Sequence, residues 1–323
     1  MSNLAIQTLA DHRAYIDQKD NRSAASPASP LTVDGYYREN GYVVMRNVVP
    51  HALIDKMVET YRSALLPSNE RFYRTMNQKF EKNRFDSHGH VIQTFQDVHS
   101  YGHIPAIKNA ALNIYFCDEM QRALRQATGI ASHFLTQSML FDRSGATRPH
   151  QDWWYTDSAP SGHMTGVWIA LEDINEKSGR FYCQPRTQRM DSFHAGLPTL
   201  THEEWLARHR NYLAEHRNDL HAPDVKKGDI IFFNSGVVHG ALEVQDESYS
   251  RKSMTGHFCP TDMGMGNLHG QRLRVKLTQF GNYQYIDSPR PYTLRAHART
   301  FIKAWIFNNP MILYSWRKFR TKA

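Results

Sequence analysis

Between His133 and Phe280 the chain sets down seven short runs rich in β-branched and aromatic residues: "HFLTQSMLF", "PHQDWWY", "TGVWIALED", "GRFYCQP", "GDIIFFN", "MTGHFCP" and "RLRVKLTQF". Turn residues separate them, and runs of this length and composition read as strands. One helical insertion, "THEEWLARHRNYLAEH", interrupts the series. Ahead of the strands the texture is helical. "YYREN" places a short helix before Asn40-Gly41, an apolar β-rich run follows, and "PHALIDKMVETYRSALL" carries helical spacing. A further helical stretch over about 105–128 stops at Gly129. Helices first and many short strands afterwards predict an α+β chain built around a β-sandwich or small barrel. There is no internal repeat.

At 323 residues one large domain with tails is expected. A hydrophobic content of 41% and six tryptophans argue against global disorder, while the longest apolar runs fall short of the roughly 20 residues that span a bilayer. Residues 1–31 end in "NRSAASPASP" and read as a flexible lead, and the folded body is expected over 32–287. The N-terminus shows no basic start followed by an apolar block, so no secretory signal is expected. Cys117, Cys183 and Cys259 form no paired spacing, which fits a reducing cytoplasm. The net charge of +8 is localised. Residues 288–323 hold eight cations and no Asp or Glu; with those eight set aside from 39 Lys and Arg, 31 remain against 31 acidic residues.

The chemistry begins at "RPHQDWWY". In a strand His150 and Asp152 point to one side and Gln151 to the other, so an imidazole and a carboxylate converge. Two imidazoles and one carboxylate on one face of iron leave positions open for a cosubstrate and dioxygen. A third ligand is available in "KKGDIIFFNSGVVHG", where His239 lies at the far end of an apolar strand and Gly240 permits close approach. Arg251 stands twelve residues further on, opening "RKSMTGHF", which is expected to be the neighbouring antiparallel strand. A guanidinium there can grip the distal carboxylate of an α-keto acid through two parallel bonds.

These segments, with "YYRENGYVVMRNVV" and "GVWIALEDINEKSGRFYCQPRTQ", resemble the phytanoyl-CoA dioxygenase family of iron(II)- and 2-oxoglutarate-dependent oxygenases over roughly Val33 to Asp262. The resemblance implies a double-stranded β-helix, or cupin-like jelly roll, with flanking helices. It implies Fe(II) held by His150, Asp152 and His239, 2-oxoglutarate as cosubstrate with O2, and Arg251 on the distal carboxylate. Trp168 matches a tryptophan lining the cosubstrate pocket, and Gln137 a glutamine that contacts 2-oxoglutarate in some members. Two departures stand out: Arg186 replaces a turn glycine in "PRTQ", and Ala241 replaces a hydroxyl two residues past the distal histidine. The implied reaction converts 2-oxoglutarate to succinate and hydroxylates an unactivated C–H bond. Asp152 fills the carboxylate position that related halogenases leave vacant, so hydroxylation is expected over halogenation.

Trp153, Trp154 and Tyr155 either pack against substrate at the mouth of the site or fill core; Arg148 and Arg186, with Arg143 and Arg189, are candidate partners for an acidic substrate. His88 and His90 have metal-type spacing but no third ligand in order and read as loop residues. Around Pro310 the tail reads as two short amphipathic helices bearing cations, which suits the surface of an anionic membrane and a small-molecule substrate of acidic or lipid-linked kind. Cations mixed with large aliphatics do not suit nucleic acid. The competing readings are a metal-binding jelly roll without oxygenase activity, which keeps the triad without requiring Arg251, and a membrane-surface binder acting through the tail.

Overall fold

A computed structural model describes residues 32–288 apart from 75, 76, 78, 196–198, 217, 218 and 267–271. The expected N-terminal lead and the amphipathic segments around Pro310 lie outside the described residues. Helices α1 (Val33–Asn40) and α2 (His51–Thr60) flank β1 (Tyr42–Met45), and a π-helical turn over Tyr61–Leu65 extends α2. Strands β2 (Phe72–Arg74), β3 (Lys79–Glu81) and β4 (Phe95–Gln96) follow. The helical stretch expected over 105–128 is two helices, α3 (Pro105–Tyr115) and α4 (Asp118–Thr128). They are broken where Phe116 and Cys117 leave helical geometry.

The strand series then runs β5 (His133–Phe141), β6 (Asp157–Ser158), β7 (Thr165–Ala170), β8 (Phe181–Gln184), β9 (Ile230–Asn234), β10 (Val238–Ala241), β11 (Ser253–Pro260), β12 (Met265–Gly266), β13 (Thr278–Phe280) and β14 (Tyr283–Tyr285). Helix α5 (His202–Glu215) is the insertion, opened by a capping box between Thr201 and Glu204. The larger sheet has the order β1-β9-β7-β11-β5-β4-β2-β3, with β14 joined to β5 and β13 to β14. The smaller sheet pairs β10 with β8 and is widened on each side by a bridge, His150 to His239 and His221 to Cys183. Two facing sheets with helices outside make the expected double-stranded β-helix.

Alternation along β11 shows how the layers use one strand. Gly256 abuts the Tyr115 ring of α3, and Tyr115 donates its hydroxyl to the Thr255 carbonyl at 2.7 Å. Phe258 packs edge-on against the same ring. Thr255 and His257 therefore turn to the other face, between the sheets. There Phe181 of the small sheet stacks on Trp168 of β7 with centroids 5.9 Å apart, and Phe233 of β9 lies 4.5 Å from the His239 ring. The site sits in this interlayer.

Four local expectations are corrected. "PHQDWWY" is not a strand: His150 makes a single bridge and Asp152–Trp154 is a 3-10 turn. The run ending at His239 is two strands, because Asn234 to Val237 forms a tight turn between β9 and β10. In "RLRVKLTQF" only Thr278–Phe280 is a strand, with Arg272 in an isolated bridge. Strand β11 is also not the neighbour of β9 or β10, since β7 lies between it and β9 in the large sheet.

Candidate metal centre

The two histidines reach the site from adjacent backbones. His150 and His239 exchange main-chain hydrogen bonds, His150 N to His239 O at 3.1 Å and the reverse at 2.9 Å. Gly240 is what allows the next contact. A Cβ there would lie 2.9 Å from the Thr147 carbonyl and 2.7 Å from the Tyr182 hydroxyl, closer than side chains tolerate. Asp152 enters one residue beyond Gln151, at the start of the 3-10 turn.

Each ligand-type histidine is set in one tautomer. Nδ1 of His150 contacts the Arg148 carbonyl at 2.8 Å, and Nδ1 of His239 contacts the Val237 carbonyl at 2.9 Å. A carbonyl only accepts, so both Nδ1 atoms carry the hydrogen and both Nε2 lone pairs are free. Those Nε2 atoms lie 3.5 and 3.6 Å from Asp152 Oδ1, and all three donor atoms fall within 4.8 Å of one another. Burial pushes His239 down to about 4, so the ring is neutral at pH 7. Burial works against ionisation of Asp152, but the surrounding imidazoles outweigh it and hold the carboxyl well below its usual range. Two imidazole nitrogens and one carboxylate oxygen fit a divalent transition ion that keeps positions open. Among the described residues this is the one such cluster of His, Cys, Asp or Glu.

A second feature shares the interlayer. Arg251 is 2% exposed, donates to the Gly179 carbonyl at 2.8 Å, and has no carboxylate partner among the described residues. Its Nε is without a hydrogen-bond partner. So are Trp168 Nε1 and Thr255 Oγ1, which stand opposite one another in the β7–β11 register. Burial lowers Arg251 to about 10, yet it remains a cation at neutral pH. A buried charge of this kind calls for an anion. Its guanidinium carbon lies 6.0 Å from the Trp168 ring centroid, and Phe181 links Trp168 to His239 with centroids 5.9 and 5.5 Å apart. The donor set fits a dicarboxylate reaching from Arg251 toward the triad.

The model of the family described as "Phytanoyl-CoA dioxygenase (PhyH)" matches residues 37–253. The chain belongs to the phytanoyl-CoA dioxygenase family. Within it, phytanoyl-CoA dioxygenase domain-containing protein 1 of Danio rerio is 25% identical over 250 residues, which cover 66% of this chain and 84% of that protein. Two solved structures share the fold at low identity. The epimerase SnoN, in complex with Fe3+, alpha ketoglutarate and nogalamycin RO, superposes with a TM-score of 0.55 at 15% identity, covering 79% of this chain and 97% of its own. EctD from S. alaskensis, with 2-oxoglutarate and 5-hydroxyectoine, gives 0.52 at 16% identity, with 76% and 81% covered.

Of the other residues singled out in this phytanoyl-CoA dioxygenase-family sequence, Gln137 stands opposite His257 in the β5–β11 register. Tyr155 is 57% exposed at the mouth, its ring edge-on to His150 with centroids 5.9 Å apart, and its hydroxyl lies 2.7 Å from His202 Nε2. Trp153 and Trp154 are packing residues instead. Trp153 is buried and stacks on His194, and Trp154 stacks on Trp205 of α5. Arg148 is exposed, 3.9 Å from Glu203. Arg186 keeps the left-handed conformation that suits the replaced glycine, at φ 68°, and turns outward to Glu39 at 2.9 Å. Arg143 bonds Asp86 and Glu247, and Arg189 the Arg38 carbonyl. Asp86 also accepts the backbone N–H groups of His88 and His90, which makes that segment a self-bonded loop.

Sequence reasoning missed three residues that shape the site: Phe181, Phe233 and His257. His257 contacts Asp152 directly. The signal was present in the alternation Ser253, Thr255, His257, three polar residues on one face of a fully buried strand, continuing the period from Arg251 just before it.

Proposed function

We propose that this chain is an Fe(II)- and 2-oxoglutarate-dependent hydroxylase of a small or lipid-linked metabolite. The observation that carries the reading is one interior holding both a His-Asp-His donor set with committed tautomers and a buried guanidinium without a carboxylate. His150, Asp152 and His239 would hold the metal, and Arg251 would pair with the far carboxylate of the cosubstrate. Bound together, Fe(II), 2-oxoglutarate and O2 supply the oxidising power for C–H hydroxylation, with succinate and carbon dioxide as coproducts. The chain's own part is placement. Trp168, Phe181 and Phe233 exclude water around the reacting centre, and Tyr155 and His202 form the rim that substrate passes.

Aerobic turnover of 2-oxoglutarate to succinate after loading with Fe(II) tests the class, and absence of succinate across a broad metabolite screen would sink it. Arg251→Ala separates an oxygenase from a plain metal-binding jelly roll. The variant is expected to bind metal like the parent and to need about 10–100-fold more 2-oxoglutarate, the loss of a charge-assisted pair of roughly 1.5–3 kcal/mol. Removing a buried unpaired cation is not expected to lower the stability of the ligand-free protein. In the parent, added 2-oxoglutarate should raise the unfolding temperature, and in Arg251→Ala that rise should shrink. An unchanged 2-oxoglutarate requirement would remove Arg251 from the site.

Peripheral contact with an anionic membrane rests on the sequence of residues 288–323, which holds eight cations and no Asp or Glu. Among the described residues no helix is long and apolar enough to cross a membrane. Cosedimentation with anionic and neutral vesicles at low and high salt tests it. The full chain is expected to bind anionic vesicles at low salt and a chain ending at Ser288 to lose that binding; equal binding by the two would defeat the idea.

A further inference from the structure

The Asp152 carboxylate is shared between two tasks, one oxygen to each. Oδ1 faces His150 and His239 at 3.5 and 3.6 Å, while Oδ2 lies 2.9 Å from Nε2 of His257. Among the described residues His257 is the one group bonded to this carboxylate outside the triad. It is 4% exposed, and its Nδ1 has no hydrogen-bond partner. An ionised carboxylate only accepts, so Nε2 carries the hydrogen and donates it.

The fold makes room for this contact. His257 of β11 stands opposite Gly166 of β7, and Gly166 stands opposite Phe233 of β9. A Cβ at Gly166 would lie 2.3 Å from the Phe233 ring. With no side chain in the middle strand, Phe233 leans in from one side and meets the His239 ring, while His257 reaches Asp152 from the other.

On this basis, and resting on the function proposed above, we infer that His257 is a positioning residue that fixes Asp152 as a one-oxygen metal ligand. By holding Oδ2 it stops the carboxylate from turning to offer both oxygens to the ion, and so keeps a coordination position open. Without the imidazole, Oδ2 becomes a buried acceptor with nothing to accept, and the carboxylate is free to rotate. His257 does not touch the cosubstrate through this bond; its action passes through Asp152.

Co(II) serves as the probe, because its visible absorption reports coordination number independently of turnover. Two variants are compared with the parent chain: His257→Leu, which keeps bulk and removes the donor, and His257→Gln, whose amide nitrogen can stand near the place of Nε2. His257→Leu is expected to weaken Co(II) binding about 10–100-fold, as loss of an outer partner of a metal ligand does, and to change the band intensity. His257→Gln should recover most of the affinity and the parent spectrum. Near-UV circular dichroism checks that each variant is folded. A folded His257→Leu protein with parental affinity and spectrum overturns the inference. So does a folded His257→Gln protein as impaired as His257→Leu, which would assign the imidazole to packing. If His257→Leu does not fold, the decision falls to His257→Gln alone: parental affinity and spectrum support the inference, and impairment in a folded protein counts against it. Failure of the parent to bind one Co(II) removes the metal-site reading itself, and the inference with it; in every other case the parent's binding stands and His257 alone is judged.

Discussion

His239→Ala is expected to abolish conversion of 2-oxoglutarate to succinate and to weaken Fe(II) binding by more than the roughly 100-fold that marks the upper range for outer-shell partners. The lost nitrogen is one of three donors, and nothing else among the described residues replaces it: Cys183, opposite His239 across the β8–β10 ladder, has its thiol pushed well up by burial and so is held in the poorly ligating protonated form. His150→Ala should lose as much, since its Nε2 lies at nearly the same distance from Asp152 Oδ1. The two substitutions are expected to differ in stability. His239 is buried, and the Val237 carbonyl would lose its Nδ1 donor, a loss of about 1–3 kcal/mol. His150 is half-buried and its removal should cost less. Equilibrium dialysis against Fe(II), succinate measurement and thermal unfolding of both variants check this. Full turnover by folded His239→Ala would refute the triad.

How far such residues can be read from sequence depends on whether a local rule places them. His150 and Asp152 were legible because they stand two positions apart, although the reason they converge is different from strand alternation. His150 is fixed by its bridge to His239, and Asp152 by the 3-10 turn whose backbone N–H groups at Tyr155 and Thr156 bond its carbonyl. Gln151 does point away, as alternation requires: it is buried, donates to the Gly236 carbonyl and accepts from Trp153 Nε1 at 2.8 Å. The order of strands was legible as a class of fold and illegible as neighbours. Asn234-Ser235-Gly236 in "KKGDIIFFNSGVVHG" is a turn signal, but nothing there says that the turn sends Ile230–Asn234 to one sheet and Val238–Ala241 to the other. His257 was hidden for the same reason, because its partner lies 105 residues earlier and only the tertiary register brings them together.

Trp205→Ala is expected to carry the largest stability loss of any single change outside the two sheets, about 3–5 kcal/mol for a buried tryptophan. At roughly 2–4 °C per kcal/mol for a domain of this size, the unfolding temperature should fall by about 10 °C. Trp205 is fully buried in α5 and is the centre of a ring cluster. It stacks on Trp154 at 4.7 Å and meets Trp153, Tyr155, His202 and His209 at 4.4 to 5.9 Å. The inserted helix is thereby docked onto the segment that carries Asp152, with the His209 ring set beside the Gln151 amide. Deleting the indole opens a cavity between α5 and that segment, so Tyr155 and His202 lose the floor that holds their 2.7 Å contact at the mouth. His150 and His239 rest on their mutual bridge, and the turn that carries Asp152 keeps its own backbone bonds and the bond from Trp153 N to the Ser235 carbonyl at 3.1 Å. Uncoupled succinate formation should therefore persist below the unfolding temperature, while affinity for substrate, once a substrate is in hand, should fall more than the 2-oxoglutarate requirement rises. Trp205→Phe, which keeps a ring, should recover part of the stability. A Trp205→Ala protein that unfolds within about 2 °C of the parent would show that α5 is held by something other than this cluster.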